Sequence, residues 1–197
     1  MSTHVDADAI ERVLDFIVEI DQLKAVLRKT RPAGLDRYEN SAEHSWHVCI
    51  SALMLKDFAN DDIDIDRVIK MLLIHDLGEI DAGDTIIFSS ETPEIKEQEA
   101  AGLRRLFAML SEDVAEEYLA LWVEFEAGET ADSRYAKAID RIPPLLQNLN
   151  GDCHSWRENN ISKQQVLSVT SRIAKGSEAV WEILEPRVQE ATRVLKD

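Results

Sequence analysis

No run in this sequence approaches the roughly 20 consecutive apolar residues that a membrane-spanning helix requires. Basic side chains are scarce beside acidic ones, 22 against 38, for a net charge of −16. That deficit argues against a nucleic acid polymer or an anionic membrane as partner, since both need a basic footprint. It leaves room for a small-molecule phosphate, because a metal ion and one or two arginines can invert the field locally. Cysteine is nearly missing: Cys49 and Cys153 lie in unrelated helical contexts with no CxxC spacing. A disulfide framework is thereby excluded, and a reduced, cytoplasmic chain is the simplest reading. The opening MSTHVDADAIERVL is acidic where a signal peptide needs a basic flank and an apolar stretch. The period-two alternation of strands is lacking too, as are internal repeats, low-complexity tracts and linkers.

What is there is helical periodicity from end to end. The chain has 197 residues, of which 45 % are hydrophobic, enough to close a real core. The expectation is one all-α domain over 1–197, with its motif-bearing core at about 23–147 and C-terminal helices at about 162–195. Asp8 with Glu11 reads as a capping box opening a helix that runs to about Leu27. Residues 31 to 40, RPAGLDRYEN, read as a loop. Helices follow from about Ala42 to Phe58 and from Asp66 to His75. Thr92-Pro93-Glu94 opens another, reaching Met109, and Ser111 caps the next. Thr130 caps a helix through Asp140 toward Gln147, in which Pro143-Pro144 predict a kink or a break. Ser162 with Gln165 is a second capping box, and Gly176-Ser177 reads as a stop followed by a fresh cap. The apolar residues Val180, Trp181 and Leu184 then either cover the domain or serve a dimer.

One stretch stands apart, IKMLLIHDLGEIDAGD at residues 69 to 84. It starts as a buried helix and turns abruptly acidic, with His75, Asp76, Glu79, Asp81 and Asp84 in succession. Burying a charge costs several kcal/mol unless it is paired or bound to a metal. Neighbours on a helix point about 100° apart, yet His75 and Asp76 can converge on an ion beyond the helix end. His44 lies one turn into the second helix, and Asp140 borders the apolar Ala138, Ile139 and Ile142. Two imidazoles and two carboxylates make a mixed nitrogen/oxygen site with open positions. One divalent ion is expected there, drawn from Mn, Co, Ni, Fe, Mg or Zn, with the first five suiting it better than structural zinc. His47, at i+3 from His44, offers a rival metal pair. Asp81 reads as a solvated loop carboxylate, and Trp46, Trp122 and Phe125 read as core packing. Trp156 reads as lining a pocket or a subunit contact, and His154 as structural or exposed.

The ordered H…HD…D set resembles the HD-domain metal-dependent phosphohydrolases. More closely, EHSW, HDLGEIDAGD and EFEAGETADSRYAKAIDR resemble the branch containing bacterial 5′-deoxynucleotidases and their eukaryotic HD-domain relatives. The likeness covers roughly Leu23 to Gln147. It implies His44, His75, Asp76 and Asp140 as metal ligands, Glu79 as the residue managing protons, and Asp84 as a partner of the sugar hydroxyl. It implies an arginine on the phosphate, with Arg28 the best match and Arg31 and Arg37 as rivals. Where the deoxynucleotidases carry a bulky aromatic against a ribose 2′-OH, this chain has Lys29, Thr30 and Arg31, so the likeness does not extend to strict deoxy selectivity. The implied activity is a phosphomonoesterase on (deoxy)nucleoside 5′-monophosphates. Another phosphate or signalling nucleotide is the alternative, since fold does not fix substrate. A non-catalytic nucleotide- or metal-binding module is the rival class. Against it stand Glu79 and Asp84, acids that a structural metal site does not need and whose charges repel those of Asp76. A homodimer is a further expectation of the resemblance.

Overall fold

The computed structural model describes residues 6–88 and 92–195; His4 lies outside them. Helix α1, Ala7–Ile20, is opened by Asp6, whose side chain accepts from the Ala9 amide at 3.0 Å. The cap is therefore Asp6 and not Asp8, and α1 stops well before Leu27, where the chain tightens into a 3₁₀ turn at Asp21–Ala25. Helix α2, Ser41–Leu55, starts from a reciprocal capping box of Asn40 and Glu43, which satisfies two amides the first turn leaves open. Helix α3, Ile65–Ile74, ends with His75 as its C-cap, and the short α4, Glu79–Ala82, follows a tight turn. Then come α5, Pro93–Phe107, capped by Thr92, and α6, Glu112–Ala127, closed by Gly128 in the left-handed region.

Helix α7, Ala131–Leu149, runs on through Pro143 and Pro144 without the break that two prolines predict. Each proline removes one amide, a cost of about 3 kcal/mol in a helix interior. The buried face of α7 offsets it: Tyr135, Ile139, Ile142 and Leu145 are all at least 97 % buried, and burying one such side chain contributes about 1.5–3 kcal/mol. Two short helices were not legible in the sequence, α4 and α8, His154–Glu158. Helices α9, Lys163–Thr170, and α10, Glu178–Ala191, start at Ser162 and Ser177 as their sequence signals predict.

Helices α2, α3 and α7 pack on one another, α6 lies against α3 and α7, and α5 against α6. Their apolar faces form one core that includes Val48, Met71, Leu72, Leu106, Phe107 and Ile139. Trp122 and Phe125 belong to it, but Trp46 does not: it is 65 % exposed. His44 faces inward, and two residues on, about 200° around the helix, Trp46 faces out. Helix α10 covers the domain, with Leu184 and Val188 buried and Val180 and Trp181 packed at the rim of the core. No strand occurs among the described residues, only a bridge between Leu27 and Asn40. None of the described helices is long and apolar enough to cross a membrane.

Gly176 marks a close approach. A Cβ there would meet the Arg134 carbonyl oxygen at 2.5 Å and the Ala138 Cβ at 2.7 Å. Neither neighbour is a flexible chain end, so Gly176→Ala should destabilise the fold by about 1–3 kcal/mol, read as a lower urea midpoint at unchanged slope.

Candidate metal and phosphate site

The site forms where three segments distant in sequence meet. The α2 capping box places His44 in the first turn of its helix. The end of α3 delivers His75 and Asp76, and α7 brings Asp140 across from the other side. His44 Nε2 lies 2.9 Å from Asp140 Oδ1, and His75 Nε2 lies 3.5 Å from the same oxygen. Asp76 adds Oδ1 at 3.1 Å from His75 Nε2 and Oδ2 at 3.8 Å from His44 Nε2. The donor atoms of His44, His75 and Asp140 all fall within 4.8 Å of one another, a spacing that could hold one metal ion.

The donor set also fits in its chemistry. His75 Nδ1 donates to the Leu72 carbonyl at 2.8 Å, which leaves Nε2 as the nitrogen turned toward Asp76 and Asp140. Nε2 itself is buried and makes no hydrogen bond. A buried nitrogen without a hydrogen-bond partner, facing two carboxylates, is compatible with a metal ligand.

Arg28 reaches this cluster, and its two rivals do not. Its Nη1 donates to Asp76 Oδ2 at 2.8 Å and lies 3.7 Å from Asp84 Oδ1 and 3.9 Å from Glu79 Oε1. Arg37 is engaged with Glu43 on the surface, and Arg31 lies 5.0 Å over the Tyr38 ring. Glu79 is buried and accepts from Ser41 Oγ at 2.6 Å. Asp84 Oδ2 is buried with no partner, an open acceptor. Asp81 turns away and forms a two-bond pair with Arg105 at 2.7 and 2.8 Å. His47 stays outside the cluster, beside Trp46 in a second, shallower cavity.

So much charge in so little water shifts the titrations. Burial, then the charge of Asp76, pushes the Glu79 carboxyl up to about 9, against the pull of Arg28. Burial alone would lower His75, but Asp76 and Asp140 outweigh it and hold the imidazole up at about 9. His44, for which burial and the Arg28 charge dominate, falls to about 4. Burial also raises Asp84 and Glu39.

A cavity of about 550 Å³ opens beside the cluster, bordered by Arg28, Glu79, Asp84 and Asp140, by Asn148 further along α7, and by the buried Trp156 of α8. That volume is ample for a small-molecule ligand. Trp156 thus takes the pocket role rather than an exposed contact. His154 sits outside, 3.1 Å from Glu158.

Three polar residues near the site were not singled out in the sequence: Glu39, Ser41 and Gln147. Glu39 and Ser41 flank the cap at i and i+2, the spacing that puts both side chains of an extended segment on one side. Gln147 carries no comparable signal.

Fold and cluster together define an all-helical protein whose His–His–Asp group has the spacing for a metal ion. A family model described as HD domain matches residues 20–181, and the chain belongs to the HD-domain phosphohydrolase family. It is 28 % identical over 137 residues to the human 5′-deoxynucleotidase HDDC2, covering 68 % of this chain and 66 % of the human protein. The chain thus spans just under two thirds of that relative's length. The Dictyostelium discoideum 5′-deoxynucleotidase HDDC2 is 31 % identical over 144 residues, 70 % of this chain and 76 % of the relative. Among solved structures, a predicted metal-dependent phosphohydrolase from Magnetospirillum magnetotacticum superposes with a TM-score of 0.90 at 41 % identity. The match covers 96 % of this chain and 100 % of that one.

Proposed function

We propose that this chain is a metal-dependent phosphomonoesterase that hydrolyses nucleoside 5′-monophosphates. The observation that carries the proposal is the gathering of Arg28, Glu79 and Asp84 with His75, Asp76 and Asp140 on one cavity of a strongly acidic protein, with His44 buried 2.9 Å behind Asp140. Relatives carrying the 5′-deoxynucleotidase name support it.

His44, His75, Asp76 and Asp140 hold the ion. When bound, it supplies Lewis acidity toward a phosphoryl oxygen and lowers the pKa of water. Arg28, now spread over Asp76, Asp84 and Glu79, is the cation that receives the phosphate. Glu79, protonated well above the usual carboxylate range, donates its proton to the departing 5′ oxygen as the phosphorus–oxygen bond breaks. Water forms the new bond to phosphorus and releases a proton that restores Glu79 to its protonated form, so nucleoside and inorganic phosphate leave with the protein unchanged. The open Asp84 oxygen accepts from a sugar hydroxyl, which orients the substrate before the chemistry.

Lys29 and Thr30 border the cavity beside Arg28, and neither is an aromatic wall against a 2′-OH. With Asp84 on the 3′-hydroxyl that both sugars carry, ribo- and deoxyribonucleotides should therefore differ in kcat/KM by less than about 10²-fold, the most that a pocket without a dedicated 2′-hydroxyl partner achieves. A phosphate-release screen of the metal-loaded protein over nucleoside monophosphates and other phosphomonoesters tests both points. Phosphate release from none of them would remove the enzymatic reading.

A further inference from the structure

We propose that Glu39 is a positioning residue that aims both His44 and Arg28 through a single carboxylate oxygen. It is 2 % exposed and has no part in the cluster described above. Its Oε2 lies 3.8 Å from His44 Nδ1 and 3.8 Å from Arg28 Nε. Both nitrogens are buried and without a hydrogen-bond partner. A buried polar nitrogen left unpaired costs about 1–3 kcal/mol, and these two share one nearby carboxylate. A contraction of about 0.9 Å, to the usual 2.9 Å, would turn each contact into a charge-assisted bond.

The backbone holds Glu39 at the joint between the two groups it would orient. Its amide donates to the Thr30 carbonyl at 2.9 Å, and its carbonyl accepts from the Arg28 amide at 2.9 Å. One residue later, Asn40 caps the helix that carries His44. The other carboxylate oxygen, Oε1, accepts from Gln147 Nε2 at 2.6 Å, so the side chain is pinned from α7 as well.

The chemical consequence concerns the tautomer of His44. A proton on Nδ1, facing Glu39, leaves the Nε2 lone pair toward Asp140 and Asp76, where the ion belongs. The same oxygen steadies the Arg28 guanidinium through Nε, leaving its outer nitrogens for phosphate. Glu39 therefore ties metal affinity to phosphate recognition without touching either ligand. This rests on the metal-site reading proposed above.

Glu39→Gln keeps the size and an acceptor for Gln147, but turns an amide donor toward His44 and Arg28. Titrating the metal-free protein with Mn²⁺, with free ion followed by electron paramagnetic resonance, should show affinity reduced by about 10- to 100-fold. The metal-free variant should melt somewhat lower, since an amide donor then faces two buried nitrogens, but a merely structural role would not weaken Mn²⁺ uptake by a variant that remains folded. At saturating metal, KM for the nucleotide should rise more than kcat falls. Unchanged Mn²⁺ affinity in a folded variant would overturn the role of Glu39 and leave the metal site standing. A wild type that takes up no Mn²⁺ would overturn the metal site and Glu39 with it. Nitrogen-15 NMR of the Zn²⁺-loaded wild type needs no variant to fold: His44 should carry its proton on Nδ1, and a proton-free Nδ1 would refute the proposal.

Discussion

Asp140→Ala should strip the metal from this protein and take turnover down to the uncatalysed background. Asp140 Oδ1 is the oxygen that both imidazoles approach, at 2.9 and 3.5 Å, so its loss removes the shared anion of the cluster. The two histidines hold Asp140 well below the usual carboxylate range in spite of its burial, the signature of a group kept ionised by its neighbours. Elemental analysis of the purified variant is the direct measurement. Stoichiometric metal in Asp140→Ala would sink the ligand assignment, and His75→Ala is the companion variant. Stability should follow occupancy, because the ion binds the folded chain and not the unfolded one. At a hundredfold excess over its dissociation constant the ion contributes about 2.7 kcal/mol. For a domain of this size a chelator should lower the melting temperature by roughly 5–10 °C. An unchanged melt after complete stripping would argue against a buried site.

Glu79→Ala should leave metal and fold intact while kcat falls by about 10²- to 10⁴-fold, the usual worth of a general acid or base. The carboxyl sits at the cavity wall, held by Ser41, and burial and the charge of Asp76 push it above the usual carboxylate range. Glu79→Gln is the isosteric control, since it keeps an acceptor for Ser41 and cannot release a proton at neutral pH. Asp84→Ala should behave differently. A hydrogen bond to the sugar serves ground state and transition state alike, so KM should rise as well as kcat/KM fall. Wild-type kcat in Glu79→Ala would move the proton chemistry to another group. If the wild type were itself slow, a nucleotide-binding module would become the better reading.

Much of this protein was legible residue by residue. Thr92 before Pro93, Ser162 with Gln165, and Gly176 before Ser177 begin or end helices where they should, because a cap is a bond between neighbours and needs no tertiary partner. The acidic end of the helix carrying His75 and Asp76 was equally plain, since four carboxylates after an apolar run demand compensation from somewhere.

The source of that compensation is not a local property. His44 and Asp140 are 96 residues apart and Glu39 and Gln147 are 108 apart, and only the packing of α2 against α7 brings each pair within hydrogen-bond reach. Packing also overruled local rules. The prolines predicted a kink or a break, but the buried face of α7 kept the helix whole; an aromatic two residues from His44 predicted core, but helix phase turned Trp46 to solvent. Capping, periodicity and charge are fixed by residues a few positions apart, so the sequence by itself determined most of the helices and the residues proposed to carry the chemistry. Which of those residues meet is fixed by the burial of whole helix faces, and only the tertiary structure decided that Arg28 rather than Arg31 or Arg37 reaches the cluster, and that Glu39 stands behind it.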